Sequence, residues 1–171
     1  FDSLRGASAM GVKILGVSCF FHDSAACLLD DGVIFAAAQN ERFSRIKHDP
    51  RFPLSAINYC LEEARCNASD IDFIAFYERP RLALDRIAST LLTTAVHDAA
   101  RVLVEIAPQW RDHKYDPRKT FRAALPDFRG DILFFDHHQS HAGSAFFPSP
   151  FEEAAILTMD GVGEWATASI A

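Results

Sequence analysis

The stretch that decides the fold is ILGVSCFFHDSAACLLDDGVI, which runs from Ile14 to Ile34. Apolar runs lie on both sides of the polar residues 22–24, and a third apolar run follows the pair Asp31-Gly32. An Asp-Gly pair between apolar runs is a strong hairpin signal, because glycine readily takes the positive φ that a tight turn needs. The stretch therefore predicts a meander of two or three antiparallel strands.

The same order of features returns near the end of the chain. Residues 14–29 and residues 155–170 each contain an apolar run, a polar turn that begins near an aspartate, and a returning apolar run. Two such hairpins indicate a duplicated nucleotide-binding scaffold in which each lobe contributes a turn that faces a phosphate. The Pro-Ser-Pro sequence at residues 148–150 is a boundary signal. We therefore expect a first lobe over residues 10–150 and the start of a second lobe, truncated, over residues 151–171.

The segment between the two hairpins alternates between the strand and helix patterns. Apolar spacing predicts a helix that starts at Pro53, one or two helices within Arg81–Ala107, and a helix within Ser140–Phe147. Apolar runs predict strands at Ile71–Glu78 and Asp131–His137, the second of them buried. Such alternation indicates an α/β fold.

The composition excludes several classes of protein. A chain of 171 residues that is 49% hydrophobic can bury a core. The net charge of −6 argues against a protein that grips nucleic acid by its phosphates. No apolar run is long enough to span a membrane and no leader pattern is present, so we expect a cytoplasmic protein without a membrane partner.

The four cysteines form no CxxC pair and are interpreted as reduced core residues. Residues 1–9 have no periodicity and are interpreted as a cloning or linker remnant.

Three of the 7 histidines lie within five positions, in the sequence DHHQSH that starts at Asp136. His137 and His141 are four residues apart, so on a helix their imidazoles project from one face and suit a single cation. A polar helix start with solvated or core histidines is the alternative. Asp160, which ends a buried strand predicted from AAILTMD, is the best candidate for a third ligand, the alternative being a cap or turn former. A zinc-protease HExxH motif is excluded, because His138 stands in place of its glutamate.

Two further turns are candidates for binding. Gly161, Val162 and Gly163 would let backbone N–H groups approach a phosphate or other anion, although a plain hairpin turn has the same sequence. His22 ends the first apolar run and is followed by small residues that permit close approach of a ligand. A histidine side chain can accept a proton or donate a hydrogen bond to a developing charge, so His22 is a candidate for acid-base chemistry.

A basic run stands out in this acidic chain. The sequence NERFSRIKHDPRFP contains phenylalanines that indicate a loop pinned to the protein body, so that its cations would face a phosphate or carboxylate. A solvated loop is the alternative. The candidate anion-binding residues are Arg42, Arg45 and Lys47, and His48 and Arg51 belong to the same run.

Three stretches taken together resemble the opening segment of the O-carbamoyltransferase family of the NodU/CmcH type, which includes enzymes that carbamoylate nodulation factors, cephems and aminoglycosides. The stretches are residues 14–34, 41–53 and 136–171. The resemblance runs from about Met10 to the last residue and is weaker between Arg79 and Arg129. It implies the first lobe of an actin/Hsp70/sugar-kinase-like (ribonuclease H-like) fold, with a mixed sheet flanked by helices, plus the opening hairpin of the second lobe.

The resemblance also implies an activity. In this family carbamoyl phosphate and ATP give carbamoyl-adenylate in a separate C-terminal domain, and the carbamoyl group then passes to a hydroxyl of a small-molecule acceptor. The chain would then need the missing C-terminal part of the same protein as its partner, and we expect it to be inactive alone. A non-catalytic metal- or nucleotide-binding module is the alternative. A sugar or acetate kinase lobe is disfavoured, because such folds have no use for the histidine pair.

The resemblance assigns roles to the candidate residues. His137, His141 and Asp160 match three ligands of a divalent metal, with iron favoured and zinc or manganese as alternatives, while a fourth ligand would lie outside this chain. His22 matches a histidine beside the reacting carbamoyl group. The expected contacts to phosphate or carbamoyl-adenylate are Asp23, Ser24, Gly161, Val162 and Gly163. We expect Asp136 to cap the helix and His138 to pack against or support the ligands.

Overall fold

The computed structural model describes residues 11–93, 100, 104, 116–161 and 163–171. It divides the chain into two compact units, one of Phe1–Ala75 with Arg122–Leu133 and the other of Phe76–Phe121 with Phe134–Ala171. We call these the first and second units. The predicted remnant, residues 1–9, lies outside the described residues, and the predicted lobe boundary at residue 150 stays a prediction.

The first unit opens with an antiparallel meander. Its strands are β1 (Lys13–Ser18), β2 (Ala25–Asp30) and β3 (Val33–Gln39), and each pairs with the next. Asp31 and Gly32 form the turn between β2 and β3 with φ of 51° and 79°. Two successive positive φ angles are the geometry of the favoured two-residue hairpin turn, so the predicted meander is confirmed.

The sheet has five strands in the order β3-β2-β1-β4-β5, with β4 at Phe73–Phe76 and β5 at Asp131–Phe134. Helices α1 (Glu41–Ser44) and α2 (Leu54–Glu63) and a 3₁₀ turn at Ala68–Asp70 accompany it. The helix predicted to start at Pro53 is thus α2. The mixed sheet flanked by helices confirms the predicted α/β fold and agrees with a kinase-like first lobe.

The core of the first unit lies between the sheet and α2. Ile57 and Cys60 on one face of α2 are fully buried, as are Leu15, Leu28 and Ile74 on the strands. The Cys60 thiol lies 3.6 Å from two backbone carbonyl oxygens of β2 and β3. Burial raises the pKa of this thiol to about 11, with the neighbouring Cys27 adding a smaller effect. None of the four cysteines forms a disulfide; Cys19 and Cys60 are buried, as predicted for core residues, whereas Cys27 and Cys66 are half-buried.

The second unit contains α3 (Pro80–Thr93), α5 (His137–Phe146) and the hairpin of β6 (Leu157–Met159) and β7 (Ala168–Ile170), and α4 (Pro117–Ala124) begins in it. Strands β6 and β7 pair antiparallel, with Leu157 opposite Ile170. This is the second hairpin that the sequence predicts. The predicted helix within Arg81–Ala107 is observed as α3 up to Thr93, and most of its remainder lies outside the described residues.

Several predicted boundaries are wrong. The first apolar run predicts a strand over Val12–Phe21, but the strand ends at Ser18, because Phe20 takes a φ of 71° and its N–H bonds to the Pro50 carbonyl. The strand predicted over Asp131–His137 ends at Phe134, and the helix predicted to begin at Ser140 begins three residues earlier. Asp136 has extended angles and takes the N-cap position, so residue 137 opens the helix. The strand predicted over Ile71–Glu78 is limited to β4, Phe73–Phe76.

The predicted burial of two strands is also wrong. Leu133 of β5 is 40% exposed and Met159 of β6 is 78% exposed. Strand β5 is an edge of the five-stranded sheet, and β6 belongs to a two-stranded ribbon. Edge strands and ribbons have fewer neighbours to cover their faces, which accounts for this exposure. Among the helices of the described residues, none is long and apolar enough to cross a membrane.

Candidate functional site

The second unit brings His137, His141 and Asp160 together, and we call them the His-His-Asp cluster. The Nε2 atom of His137 lies 2.6 Å from Oδ2 of Asp160 and 3.1 Å from Nε2 of His141. His141 Nε2 lies 3.5 Å from the same carboxylate oxygen. The histidines are one turn apart on α5, and Asp160 follows β6, where its N–H donates to the Thr167 carbonyl. A helix start and a strand end therefore supply three potential ligand atoms within 4.8 Å of one another.

The chemistry of this cluster fits a divalent cation. Two imidazole nitrogens that face each other cannot both carry a proton without repulsion, whereas a cation accepts both lone pairs and the carboxylate together. The side chains of His137 and Asp160 are 16% and 24% exposed, and that of His141 is 50% exposed. The cluster is thus open on the His141 side. The His137 Nδ1 atom is buried and has no hydrogen-bond partner among the described residues.

A buried carboxylate that sequence reasoning missed supports the start of α5. Glu164 is 8% exposed, and its two oxygens accept the N–H groups of Arg79 and His137. A carboxylate at a helix N-terminus is favoured by the free N–H groups and the helix dipole. The glutamate directly follows the Gly-Val-Gly sequence, and a carboxylate at that position next to a proposed site was the available signal.

Asp136 and His138 flank the first histidine and have different roles. Asp136 takes the predicted N-cap position but makes no side-chain capping hydrogen bond, and its carboxylate pairs with Arg79 at 3.0 Å. His138 turns toward the hairpin, where its Nδ1 lies 3.0 Å from the Ser169 hydroxyl and 3.1 Å from that of Thr158. His138 therefore joins α5 to the β6-β7 ribbon.

The glycine turn after Asp160 has a packing requirement of its own. A Cβ on Gly163 would lie 2.1 Å from the Ala166 carbonyl oxygen and 3.1 Å from Nε2 of His138. A Cβ on Gly161 would meet nothing within 4 Å. Only the second glycine is thus required by close packing, and Val162 lies outside the described residues. Phosphate binding by this turn stays a prediction.

The first unit holds a second group of polar residues around Asp23, which we call the Asp23 cluster. The Nδ1 atoms of His22 and His48 lie 2.8 Å and 2.9 Å from different oxygens of the Asp23 carboxylate. The pKa of Asp23 lies below its ordinary value. The hydrogen bond from His48 lowers it most and the hydrogen bond from His22 lowers it further, while burial acts in the opposite direction. Asp23 and His48 both take a left-handed backbone, with φ of 50° and 55°. Sequence reasoning placed His48 only in the basic run and missed its contact with Asp23.

Buried Asp49 fastens the loop that carries His48. Its fully buried carboxylate accepts two hydrogen bonds of 2.8 Å from the Arg51 guanidinium and one of 3.1 Å from Asn40. Its carbonyl accepts the Ser24 N–H at 2.9 Å. The Arg51 guanidinium is the main reason that the pKa of Asp49 lies far below its usual range. Arg51, one cation of the basic run, thus serves the fold.

The three predicted anion-binding cations lie at the surface of the first unit. Arg42 is near Glu41 at 3.8 Å, with its side chain 70% exposed. Arg45 ends α1 in the left-handed region, with φ of 58°, and Lys47 is exposed. The loop that carries them is pinned as predicted, because Phe43 packs against Tyr59 with ring centroids 5.8 Å apart. Anion binding by the three cations stays a prediction.

Known proteins match this chain over nearly all of its length. The model of the family described as Carbamoyltransferase N-terminus matches residues 13–171. Uncharacterized protein sll1178 of Synechocystis sp. is 48% identical over 165 residues, which cover 92% of this chain and 26% of that protein. Nodulation protein NolNO of Sinorhizobium fredii is 38% identical over 157 residues, 89% of this chain and 21% of that protein. The chain therefore spans about a quarter of the length of these relatives or less.

Proposed function

This chain belongs to the carbamoyltransferase N-terminus family, and from that premise we propose that it is the N-terminal part of an ATP-dependent O-carbamoyltransferase. The complete enzyme would convert carbamoyl phosphate, ATP and water into carbamoyl-adenylate, phosphate and pyrophosphate, and then pass the carbamoyl group to a hydroxyl of a small-molecule acceptor with AMP as the leaving group. The observation that carries the proposal is the convergence of His137, His141 and Asp160 within a chain that matches the family from residue 13 to residue 171.

The His-His-Asp cluster would hold a divalent metal in this enzyme. Two imidazoles and one carboxylate suit iron, our first choice, and also zinc or manganese. A cation bound there would supply positive charge to stabilise negative charge on the phosphoryl and carbamoyl oxygens. Glu164 would keep His137 in place, because it accepts the N–H that begins the ligand-bearing helix.

His22 is the residue that we assign to proton removal from the acceptor hydroxyl. Its Nδ1 faces the Asp23 carboxylate at 2.8 Å, so the neutral imidazole carries its proton on Nδ1 and keeps the lone pair of Nε2 for a substrate proton. The His22 side chain is 59% exposed, which leaves this nitrogen accessible. His48 holds the second oxygen of Asp23 and so fixes the carboxylate that orients His22.

The proposal is tested on the longer protein that contains this chain. Adenylate formation is followed as the exchange of labelled pyrophosphate into ATP, which should depend on carbamoyl phosphate. Labelled carbamoyl phosphate is used for the transfer reaction. Transfer is followed as label incorporated into an aminoglycoside, a cephem alcohol or a chito-oligosaccharide. We expect His137→Ala to abolish transfer and spare the exchange, because the adenylate forms in another domain.

The matched control is Gln139→Ala, an exposed position on the same helix that should leave both reactions unchanged. Loss of both half-reactions in His137→Ala, or of neither, contradicts the proposed role of the cluster. An intact protein that binds metal but catalyses neither reaction would instead identify a non-catalytic module.

A further inference from the structure

The second unit contains a cleft of about 490 Å³ whose lining residues, apart from Arg79, have no role in the chemistry proposed above. Arginines dominate its polar lining, and Asp116 is the one carboxylate among the described residues that line it. Its apolar surface comes from two prolines, a leucine and a phenylalanine. We call it the arginine cleft, and its lining residues are Arg79, Pro80, Arg81, Leu82, Asp116, Pro117, Arg118 and Phe134.

Two of these arginines have no acidic partner in the part of the chain that the structure describes. Arg79 pairs with Asp136 at 3.0 Å, so its charge is largely compensated. Arg81 and Arg118 are exposed and form no ion pair with any described residue. Three arginines and one carboxylate line the cleft among the described residues, so positive charge exceeds negative charge at this concave site in a chain whose net charge is −6. The resulting positive potential favours an anionic ligand.

The backbone adds to this potential. Helix α3 begins at Pro80 and α4 begins at Pro117, and in both helices an arginine is the second residue. The first turn of a helix carries the positive end of the helix dipole. Here the first residues are prolines, which have no N–H, and the N–H groups of Leu82 and Lys119 bond to the carbonyls of Arg79 and Asp116, so the backbone contributes through the dipole. The cleft is thus lined by the first residues of two helices, each with its own guanidinium. These helix starts add to a site that is defined by the cavity and by two arginines that pair with no described carboxylate.

Arg118 is held in a position suited to a phosphate. Its guanidinium carbon lies 4.2 Å from the centroid of the Phe134 ring. Contact with an aromatic ring uses the flat face of the guanidinium and leaves its N–H edge available to donate hydrogen bonds. An arginine ordered in this way loses less side-chain entropy when it binds an anion. The apolar residues around it can cover the uncharged part of a ligand, and the volume suits a small organic molecule.

We propose that the arginine cleft binds a small phosphate ester, with Arg81 and Arg118 as its phosphate-binding residues. This inference goes beyond the proposed carbamoyl transfer, because neither arginine belongs to the His-His-Asp cluster or the Asp23 cluster. The phosphate could belong to a nucleotide or to a phosphorylated sugar. Both sources present the same group to the two guanidinium ions, and they differ in the uncharged part that the apolar wall would contact.

The test is calorimetric titration of the 171-residue chain at low salt. The probes are AMP with adenosine as its neutral counterpart, glucose 6-phosphate with glucose, and inorganic pyrophosphate. At least one phosphate ester should bind about tenfold more tightly than its neutral counterpart, because hydrogen bonds between guanidinium ions and a phosphate are charge-assisted and stronger than neutral ones. Preference for AMP would identify a nucleotide site, and preference for glucose 6-phosphate a sugar-phosphate site.

Variants locate the binding in the cleft. Arg81→Gln and Arg118→Gln should each weaken phosphate-ester binding about tenfold, and Arg118→Lys should restore part of the loss, because lysine keeps the charge but not the planar fork. Lys119→Gln is the matched control, since this exposed cation neighbours Arg118 but does not line the cleft. Circular dichroism checks that each variant is folded. Equal binding of neutral and phosphorylated probes, no binding of any probe at about 10 mM, or an equal loss in Lys119→Gln overturns the proposal.

Discussion

The Nε2 atoms of His137 and His141 lie 3.1 Å apart and both face the Asp160 carboxylate. Removing either imidazole should therefore remove one potential metal ligand from a shared site. We expect His141→Ala to weaken zinc or manganese binding to the chain at least about tenfold, since changes even in the outer shell of metal sites reduce affinity by about that much. Titration calorimetry with each metal salt measures the change, and Gln139→Ala on the same helix is the control. Unchanged affinity in His141→Ala would refute the ligand assignment.

The two glycines after Asp160 provide a matched pair for a stability prediction. An alanine at position 163 would place its Cβ 2.1 Å from the Ala166 carbonyl oxygen, so the backbone of the hairpin must shift. We expect Gly163→Ala to lower the free energy of unfolding by about 2 kcal/mol, a typical cost of overpacking. Gly161→Ala should change it by less than about 1 kcal/mol, because its Cβ meets nothing within 4 Å. Urea unfolding of both variants compares them, and equal losses would contradict the packing role of Gly163.

Local patterns account for the features that the sequence predicts correctly. The Asp31-Gly32 turn follows from the conformational preference of glycine between two apolar runs. The pairing of His137 with His141 follows from the helical repeat, and it requires only that both residues lie on one helix. The approach of Asp160 required more, namely that a strand end and a helix start meet. Its place at the end of a predicted strand made Asp160 the best candidate, and the resemblance to a family supported that choice.

Features that depend on distant polar partners were not predictable in the same way. Glu164 accepts the N–H of His137, a residue 27 positions earlier in the chain, and no periodicity relates the two. Asp49 is buried only because Asn40 and Arg51 satisfy its carboxylate, whereas an aspartate in a basic run has the sequence of a solvated loop. Edge exposure of strands, as at Met159, likewise depends on sheet order, which hydrophobicity alone does not contain.

The buried carboxylate of Asp49 should make stability depend on pH. The pKa of Asp49 is lowered in the folded chain, mainly by the Arg51 guanidinium. The ionised carboxylate therefore makes its full contribution to the free energy of unfolding above the unfolded pKa of about 4, and this contribution is lost as the pH falls below that value. Asp49→Asn should lower the free energy of unfolding at pH 7 by about 2 kcal/mol, because charge-assisted hydrogen bonds are lost. The difference from the unaltered chain should shrink toward pH 3.

Urea unfolding at pH 7, 5 and 3 measures this effect. Asp127→Asn is the control, because Asp127 is exposed and its carboxylate forms no ion pair with any of the described residues. A difference between Asp49→Asn and the unaltered chain that stays constant from pH 7 to pH 3 would show that the carboxylate charge of Asp49 has no part in stability.

The Asp23 cluster allows the contribution of each histidine to be separated. The hydrogen bond from His48 is the largest influence on the pKa of Asp23, and that from His22 is smaller. His48→Ala should therefore raise the pKa of Asp23 toward its ordinary value by more than His22→Ala does. Carbon-detected NMR of the Asp23 carboxyl group, titrated between pH 2 and 6, measures both shifts. If only His22→Ala moves this pKa, His48 does not hold the carboxylate, and the proposed orientation of His22 rests on Asp23 alone.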